Sequence, residues 1–338
     1  MRLLVDDRWI GPHGIGRFAG ALLARLPVSA RMPRGLGPTH PLDPIWTTLQ
    51  LARRPCEVYF EPGYNPPLAS AAPFVFTIHD LIHLKAEGEK TLAKRLYYER
   101  IVRPATRRAY RVLTVSEYSK REIGAWAGIP LEQVVVASNG VSPGFTPEGD
   151  RFALGCPYLL YIGNRKPHKN LPGILNAFAA SRCAASMVLL LSGSPDRETR
   201  QWIRDAGLNG DQVRFAGYIP DRRLPAYYRG AVALAIPSLD EGFGLPALEA
   251  MACGTPVLAG NRGALPEVVG DAGLLVDPTL PASMAEGLDR IATDQELRSE
   301  LARRGVERAT RFRWEDSAQI VRSLLEAAAS GSAHPESE

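Results

Sequence analysis

Glu241 and Glu249 stand eight positions apart around a Gly-Phe-Gly-Leu-Pro turn, in the stretch SLDEGFGLPALEAMACGTPVLAGNRGALPEVVG over residues 238–270. Such a turn lets backbone N–H groups approach a ligand's oxygens, and the apolar run after it opens a helix whose dipole favours negative charge at its start. Two carboxylates would repel a phosphate placed there. They suit hydroxyls instead, because a carboxylate accepts paired hydrogen bonds from a vicinal diol, so one glutamate fits a sugar being transferred and the other a ribose. The plainer reading, two acids on a solvated helix, leaves the turn between them unexplained.

Three other constellations could join them. In YIGNRKPHKN, Arg165, Lys166 and Lys169 come directly before a helix opened by Asn170, and cations beside a helix start favour a diphosphate; the alternative is a solvated basic loop. In FVFTIHDLIHL, His79 and Asp80 follow a buried strand, so the imidazole is expected at the strand's C-terminal end, where it can hydrogen-bond a hydroxyl or steady a developing charge. The His79 and His83 spacing of four also fits two metal ligands, but the six histidines show no matching ligand cluster, and a structural His79 stays open. Gly14, Gly16 and Ala19 match G-x-G-x-x-A, read as a phosphate- or acceptor-facing loop or as a plain turn. A nicotinamide site is disfavoured, because bulky residues separate the preceding strand from Gly14 and no acidic residue follows at the required distance.

Something has to position these groups. The chain of 338 residues exceeds what one core usually supports, which predicts two domains and a cleft. A hydrophobic content of 45% and a charged content of 22% fit a soluble globular protein, and no eighteen-residue apolar stretch or secretory segment appears, so a cytoplasmic location is expected. Net charge is only +4 and the 40 basic side chains include just six lysines, so phosphate clamps are a better reading than a nucleic-acid stripe. The four cysteines lie far apart and read as reduced and mostly buried. Apolar runs such as RLLVDD, EVYFEP, PFVFTIHD and YRVLTVS alternate with helical stretches including residues 90–109, and a second series starts at YLLYIGN. This alternation predicts parallel sheets. Pro, Gly and charge over 142–157 mark a linker, and the polar end after 329 reads as a disordered tail.

These stretches resemble the retaining glycosyltransferases of family 4. The likeness rests on the Glu-x7-Glu signature within residues 237–278 and continues through GIGRF, FVFTIHDLIHL, VLTVSEYSKREI, SNGV, YIGNRKPHKN and FAGYIPDRRLPAYYRGA, nearly the whole chain. It implies an α/β GT-B fold, with two Rossmann-like doubly wound domains facing across a cleft. The expected layout is an acceptor-binding domain over 1–145, a linker over 146–157, a nucleotide-sugar domain over 158–313, a helix over 314–328 returning to the first domain, and the tail over 329–338.

Carried over by motif position, the resemblance assigns Glu241, Gly242 and Phe243 to the donor sugar and Glu249 to the ribose. Arg165, Lys169, Gly244 and Leu245 fall to the diphosphate, Ile219 to the base, His79 to the sugar's outer hydroxyl, and Gly14 and Gly16 to the acceptor side. One departure stands out: where many members carry an arginine this chain has Asn164, leaving Arg165, with Lys166 second, as the partner of Lys169. The resemblance implies a nucleotide-sugar donor, best fitted by a GDP-sugar carrying mannose or a related deoxyhexose, with UDP- and dTDP-sugars open. It implies a saccharide or lipid-linked saccharide acceptor and no cofactor; the lack of a carboxylate cluster near the phosphate loop predicts no metal, and the mild net charge predicts no nucleic-acid partner. The basic stretch over 90–111 suggests peripheral contact with the inner face of a membrane, against a solvated helix packing through Leu92, Leu96, Val102 and Ala105. A nucleotide-sugar epimerase and a non-catalytic binding module are the rival classes.

Overall fold

The structure, a computed structural model, describes residues 1–86 and 91–331. The chain divides into two compact units, one of Met1–Gly140 joined by the segment from Arg313 onward, the other Val141–Phe312. Each is built on a six-stranded sheet whose neighbouring strands are all parallel.

In the first unit β1 (Leu3–Val5), β2 (Ala30–Arg31), β3 (Val58–Glu61), β4 (Phe74–Thr77), β5 (Arg111–Thr114) and β6 (Val134–Val136) lie in the order β2-β1-β3-β4-β5-β6. In the second, β7 (Tyr158–Tyr161), β8 (Val188–Leu191), β9 (Val213–Phe215), β10 (Ala233–Ile236), β11 (Val257–Gly260) and β12 (Leu274–Val276) lie in the order β12-β11-β10-β7-β8-β9. The central strands read as unbroken apolar runs, such as YLLY, VLLL and ALAI, because both faces of a parallel sheet are covered. Strand order reverses between β1 and β3 in one sheet and between β7 and β10 in the other. Chain leaving those strands diverges to opposite faces and opens a crevice at their C-terminal ends.

The last helix among the described residues, Trp314–Ser330, belongs to the first unit. Trp314 is buried with its ring 6.3 Å from Phe18, Glu315 pairs with Arg25 at 2.9 Å, and Ser317 donates to the Ser138 carbonyl. Gly140 is required here, since a Cβ would come within 2.3 Å of the Trp314 nitrogen.

Several expectations need adjustment. Gly14 and Gly16 lie inside the helix Gly14–Leu23 and not in a loop before it. Residues 146–157 count with the second unit, where Arg229 donates to the carbonyls of Thr146 and Asp150. The helix expected over 90–109 is two α-helical pieces, Leu92–Tyr97 and Arg103–Arg108, joined by a π-helical turn; Lys90 lies outside the described residues. Val102 and Ala105 are buried, but Leu92 and Leu96 are 72% and 49% exposed. The last helix extends through Ser330, beyond the expected start of the tail, and the rest of that tail from 332 lies outside the described residues. All four cysteines are free, with Cys183 and Cys253 buried and Cys56 and Cys156 partly so.

The first sheet's crevice is held by a buried charge cluster. Arg8, just after β1, pairs with Asp6 and with Asp43 and stacks on Trp46 at 4.4 Å, while Asn65 donates to Asp43. Both carboxylates are fully buried, so each depends on the guanidinium for its compensation. Arg8→Met is expected to destabilise the protein by about 3–5 kcal/mol, because it strands two buried carboxylates. Denaturant titration measures this, and an unchanged unfolding midpoint contradicts it.

Candidate functional site

The second unit gathers its candidate residues where β7 and β10 end. After β7 the chain makes a short 3-10 turn, Pro167–Lys169, and after β10 it runs through Pro237 and Ser238 to Glu241. The two segments are stitched together: the Leu239 N–H donates to the His168 carbonyl at 2.7 Å, and the Tyr161 hydroxyl reaches the Lys169 carbonyl at 3.3 Å. Lys169 Nζ then meets Glu241 Oε1 at 2.6 Å, and the Ser238 hydroxyl donates to the same oxygen at 2.7 Å. The Glu241 side chain is 8% exposed and that of Lys169 19%, so the ion pair is largely withdrawn from water but open at its ammonium end. A third loop closes on it. Gly263, at φ 64°, has its Cα so close that a Cβ would fall 2.5 Å from the Glu241 nitrogen, and the Ala264 N–H donates to the Glu241 carbonyl at 2.9 Å.

Past Glu241, Gly242, Phe243 and Gly244 are buried and lead into the helix Leu245–Ala252. Gly244 is its N-cap at φ 103°, where a Cβ would also strike Leu265 at 2.6 Å; no side chain caps the helix, Pro246 has no N–H, and the Ala247 N–H donates to the Gly244 carbonyl at 2.9 Å. Phe243 rests edge-on against Phe312 at 5.7 Å. Glu249 lies in the helix's second turn, 2% exposed, with the Tyr228 hydroxyl donating to its Oε2 at 3.0 Å. Leu245 and Ile219 are partly exposed. Arg165 reaches across to the end of β8, donating to the Ser192 carbonyl at 2.9 Å with Asp196 at 3.7 Å, while Lys166 is exposed. The structure thus joins Lys169 directly to Glu241, and Arg165 to the neighbouring loop.

In the first unit His79 follows β4. Its Nε2 lies 3.0 Å from the Pro62 carbonyl and its ring is edge-on to Phe18 at 4.9 Å. Burial pushes the imidazole below its ordinary value of 6.5, with the Pro62 carbonyl and Asp80 opposing that shift and His13 adding to it. Gly16 has its backbone N–H already engaged by the Nδ1 of His13, the helix N-cap, at 3.0 Å, and a Cβ there would fall 2.4 Å from the Gly11 carbonyl oxygen. Gly14 is exposed, with open space where a Cβ would stand. Beside them Glu61 accepts from the Tyr59 hydroxyl at 2.8 Å and the Gly63 N–H at 3.1 Å, and burial, reinforced by Asp6, raises its carboxyl well above the usual range. His83 packs against Tyr98 at 4.4 Å, in an aromatic group with Tyr64. Among the described residues, no three His, Cys, Asp or Glu side chains converge to hold a metal.

Sequence reasoning passed over Ser238, Tyr228 and the side chain of Asn170. Ser238 carried a signal, a hydroxyl three positions before the glutamate. Tyr228 had none, since it comes from a helix over 20 residues before Glu249 and reaches it only through the fold.

Residues 148–308 match the profile of the glycosyl transferases group 1, and residues 13–145 that of glycosyltransferase family 4. Among curated relatives, the O-antigen chain mannosyltransferase B of Escherichia coli is 33% identical over 72% of this chain and 67% of its own. The D-inositol 3-phosphate glycosyltransferase of Frankia alni is 30% identical over 92% of this chain and 89% of its own. The solved sucrose-phosphate synthase of Thermosynechococcus elongatus superposes with a TM-score of 0.77 at 21% identity, covering 98% of this chain and 100% of that one.

The depressed His79 pKa has a stability consequence. The unfolded chain binds a proton to this imidazole at a higher pH than the folded chain does, so stability falls as pH drops below 6.5 towards the folded value. The melting temperature of the wild type is expected to drop more between pH 8 and pH 5 than that of His79→Gln, by about one to a few degrees. Parallel pH profiles contradict this.

Proposed function

Since the chain belongs to the family 4 glycosyltransferases and has their GT-B fold, we propose that it transfers mannose or a related deoxyhexose from a GDP-sugar to a saccharide acceptor, with retention at the anomeric carbon. The observation that carries this reading is the Lys169–Glu241–Ser238 arrangement at the end of β7 and β10. A partly exposed ammonium suits a diphosphate, and a buried carboxylate beside it suits the sugar's hydroxyls. The mannose preference is supported by the E. coli relative's name. The Frankia relative, which aligns over more of the chain, favours as second reading an acceptor that is a phosphorylated polyol.

In this reading the donor exchanges an internal ion pair for an external one. The diphosphate takes the Lys169 ammonium, Glu241 is released to the sugar, and Ser238 keeps hold of Oε1. The bond from the anomeric carbon to the diphosphate oxygen breaks and the acceptor hydroxyl attacks the same face. Its proton passes to the departing diphosphate. Lys169, with Arg165, stabilises that charge, and Glu249 holds the ribose. Positive charge from side chains and the helix start serves the leaving group, so the mechanism calls for no resident metal or cofactor.

The exposed, basic helix Leu92–Tyr97, none of whose residues is buried, supports reading this face as one that meets anionic lipid. No helix among the described residues is long and apolar enough to cross a membrane.

Glu241→Ala is expected to lower kcat by about a hundredfold or more, while affinity for the nucleoside diphosphate alone holds or tightens, because Lys169 is no longer neutralised. Steady-state assay and calorimetry on the same preparation test this, and an equal loss of both contradicts it. Liposome flotation tests the lipid face: association with anionic vesicles that is lost with neutral ones is expected, and no association with either removes that assignment.

A further inference from the structure

Among the described residues Asn170 is the one non-glycine residue in the left-handed region, at φ 54°. Asparagine tolerates that conformation better than other side-chain-bearing residues. Here the side chain also has work to do. Its Nδ2 donates to the Pro278 carbonyl at 2.7 Å and to the Pro237 carbonyl at 3.2 Å. One amide nitrogen has two hydrogens, so a single carboxamide can tie the exits of β12 and β10 together. Its fit is tight: a Cβ at Gly173 would fall 2.3 Å from Asn170 Oδ1, so the carboxamide lies flat on the first turn of the helix Leu171–Ala180.

Pro237 directly precedes Ser238, in the segment that carries Glu241. Lys169 is therefore bracketed on both sides, by the bond from Leu239 to the His168 carbonyl and by the Asn170 side chain. A lysine has a long flexible stem, and fixing its Cα relative to the opposing loop decides where the ammonium spends its time. We propose that Asn170 is a positioning residue that places the Lys169 ammonium for the donor's diphosphate, through the left-handed backbone and the two carbonyl ties together. This rests on the reading of Lys169 as a diphosphate ligand; Asn170 itself touches no substrate.

The two devices separate by substitution. Asn170→Gly keeps the left-handed backbone and loses the ties, whereas Asn170→Ala loses both. The test is calorimetric titration with GDP, UDP and dTDP, made on the wild type, Asn170→Gly, Asn170→Ala, Lys169→Met and the double variant Lys169→Met/Asn170→Gly, with melting temperatures recorded to confirm folding. Asn170→Gly is expected to weaken nucleoside diphosphate binding by about tenfold, and Asn170→Ala by more, towards a hundredfold. In the Lys169→Met background, adding Asn170→Gly is expected to change the dissociation constant less than about twofold, because Asn170 acts through Lys169. A merely structural residue would weaken binding equally in both backgrounds, and that result overturns the proposal, as does Asn170→Gly binding like the wild type. Wild-type protein that binds none of the three diphosphates would instead remove the function read for Lys169, and this inference with it.

Discussion

An ammonium and a carboxylate, Lys169 and Glu241, 2.6 Å apart at the C-terminal edge of the second sheet, set the terms for the surrounding structure. Withdrawing both charges from water is costly, and their attraction only roughly repays the cost. Such a pair contributes little net stability, which makes it suitable for rearrangement. A doubly charged diphosphate can compete for the lysine, whereas an apolar replacement could not be exchanged at all. Ser238 matters for the same reason, since it leaves Glu241 with a partner once the ammonium has gone.

Holding that pair in place requires three loops from one sheet. The sheet order brings the exits of β7 and β10 side by side, and β11 adds the Gly263 turn. At these crossings there is no room for a Cβ. Gly263 lies against Glu241, Gly244 against Leu265, and Gly260 against the Ser238 carbonyl. Gly244 and Gly263 serve close packing and left-handed turns at once, whereas Gly260 serves the close approach alone. The first sheet meets the same problem differently, pinning the exit of β1 by a buried Arg8 between two aspartates.

Much of this was legible in the sequence. Parallel strands appear as unbroken apolar runs, and the Glu-x7-Glu spacing with its glycine turn marks a helix start by chemistry alone. What could not be read is what depends on distance across the fold. Asp6, Arg8 and Asp43 look like surface residues until Asp43 is seen to arrive from a helix 35 positions later. Gly14 and Gly16 matched a phosphate loop, yet His13 caps the helix they open and already holds the Gly16 N–H. Leu92 and Leu96 followed a helical period that predicts burial, yet both are exposed, and their helix meets the core through Tyr97. Periodicity reports amphipathic character but not what covers the apolar side.

The most direct test of the donor site is calorimetric titration of the purified protein with GDP, UDP, dTDP and NAD in the absence of added metal. Binding of nucleoside diphosphates, tightest for GDP, is expected, and none of NAD. A preference for UDP or dTDP would replace the donor while leaving the Lys169–Glu241 site in place, and failure to bind any of the diphosphates would contradict the site itself.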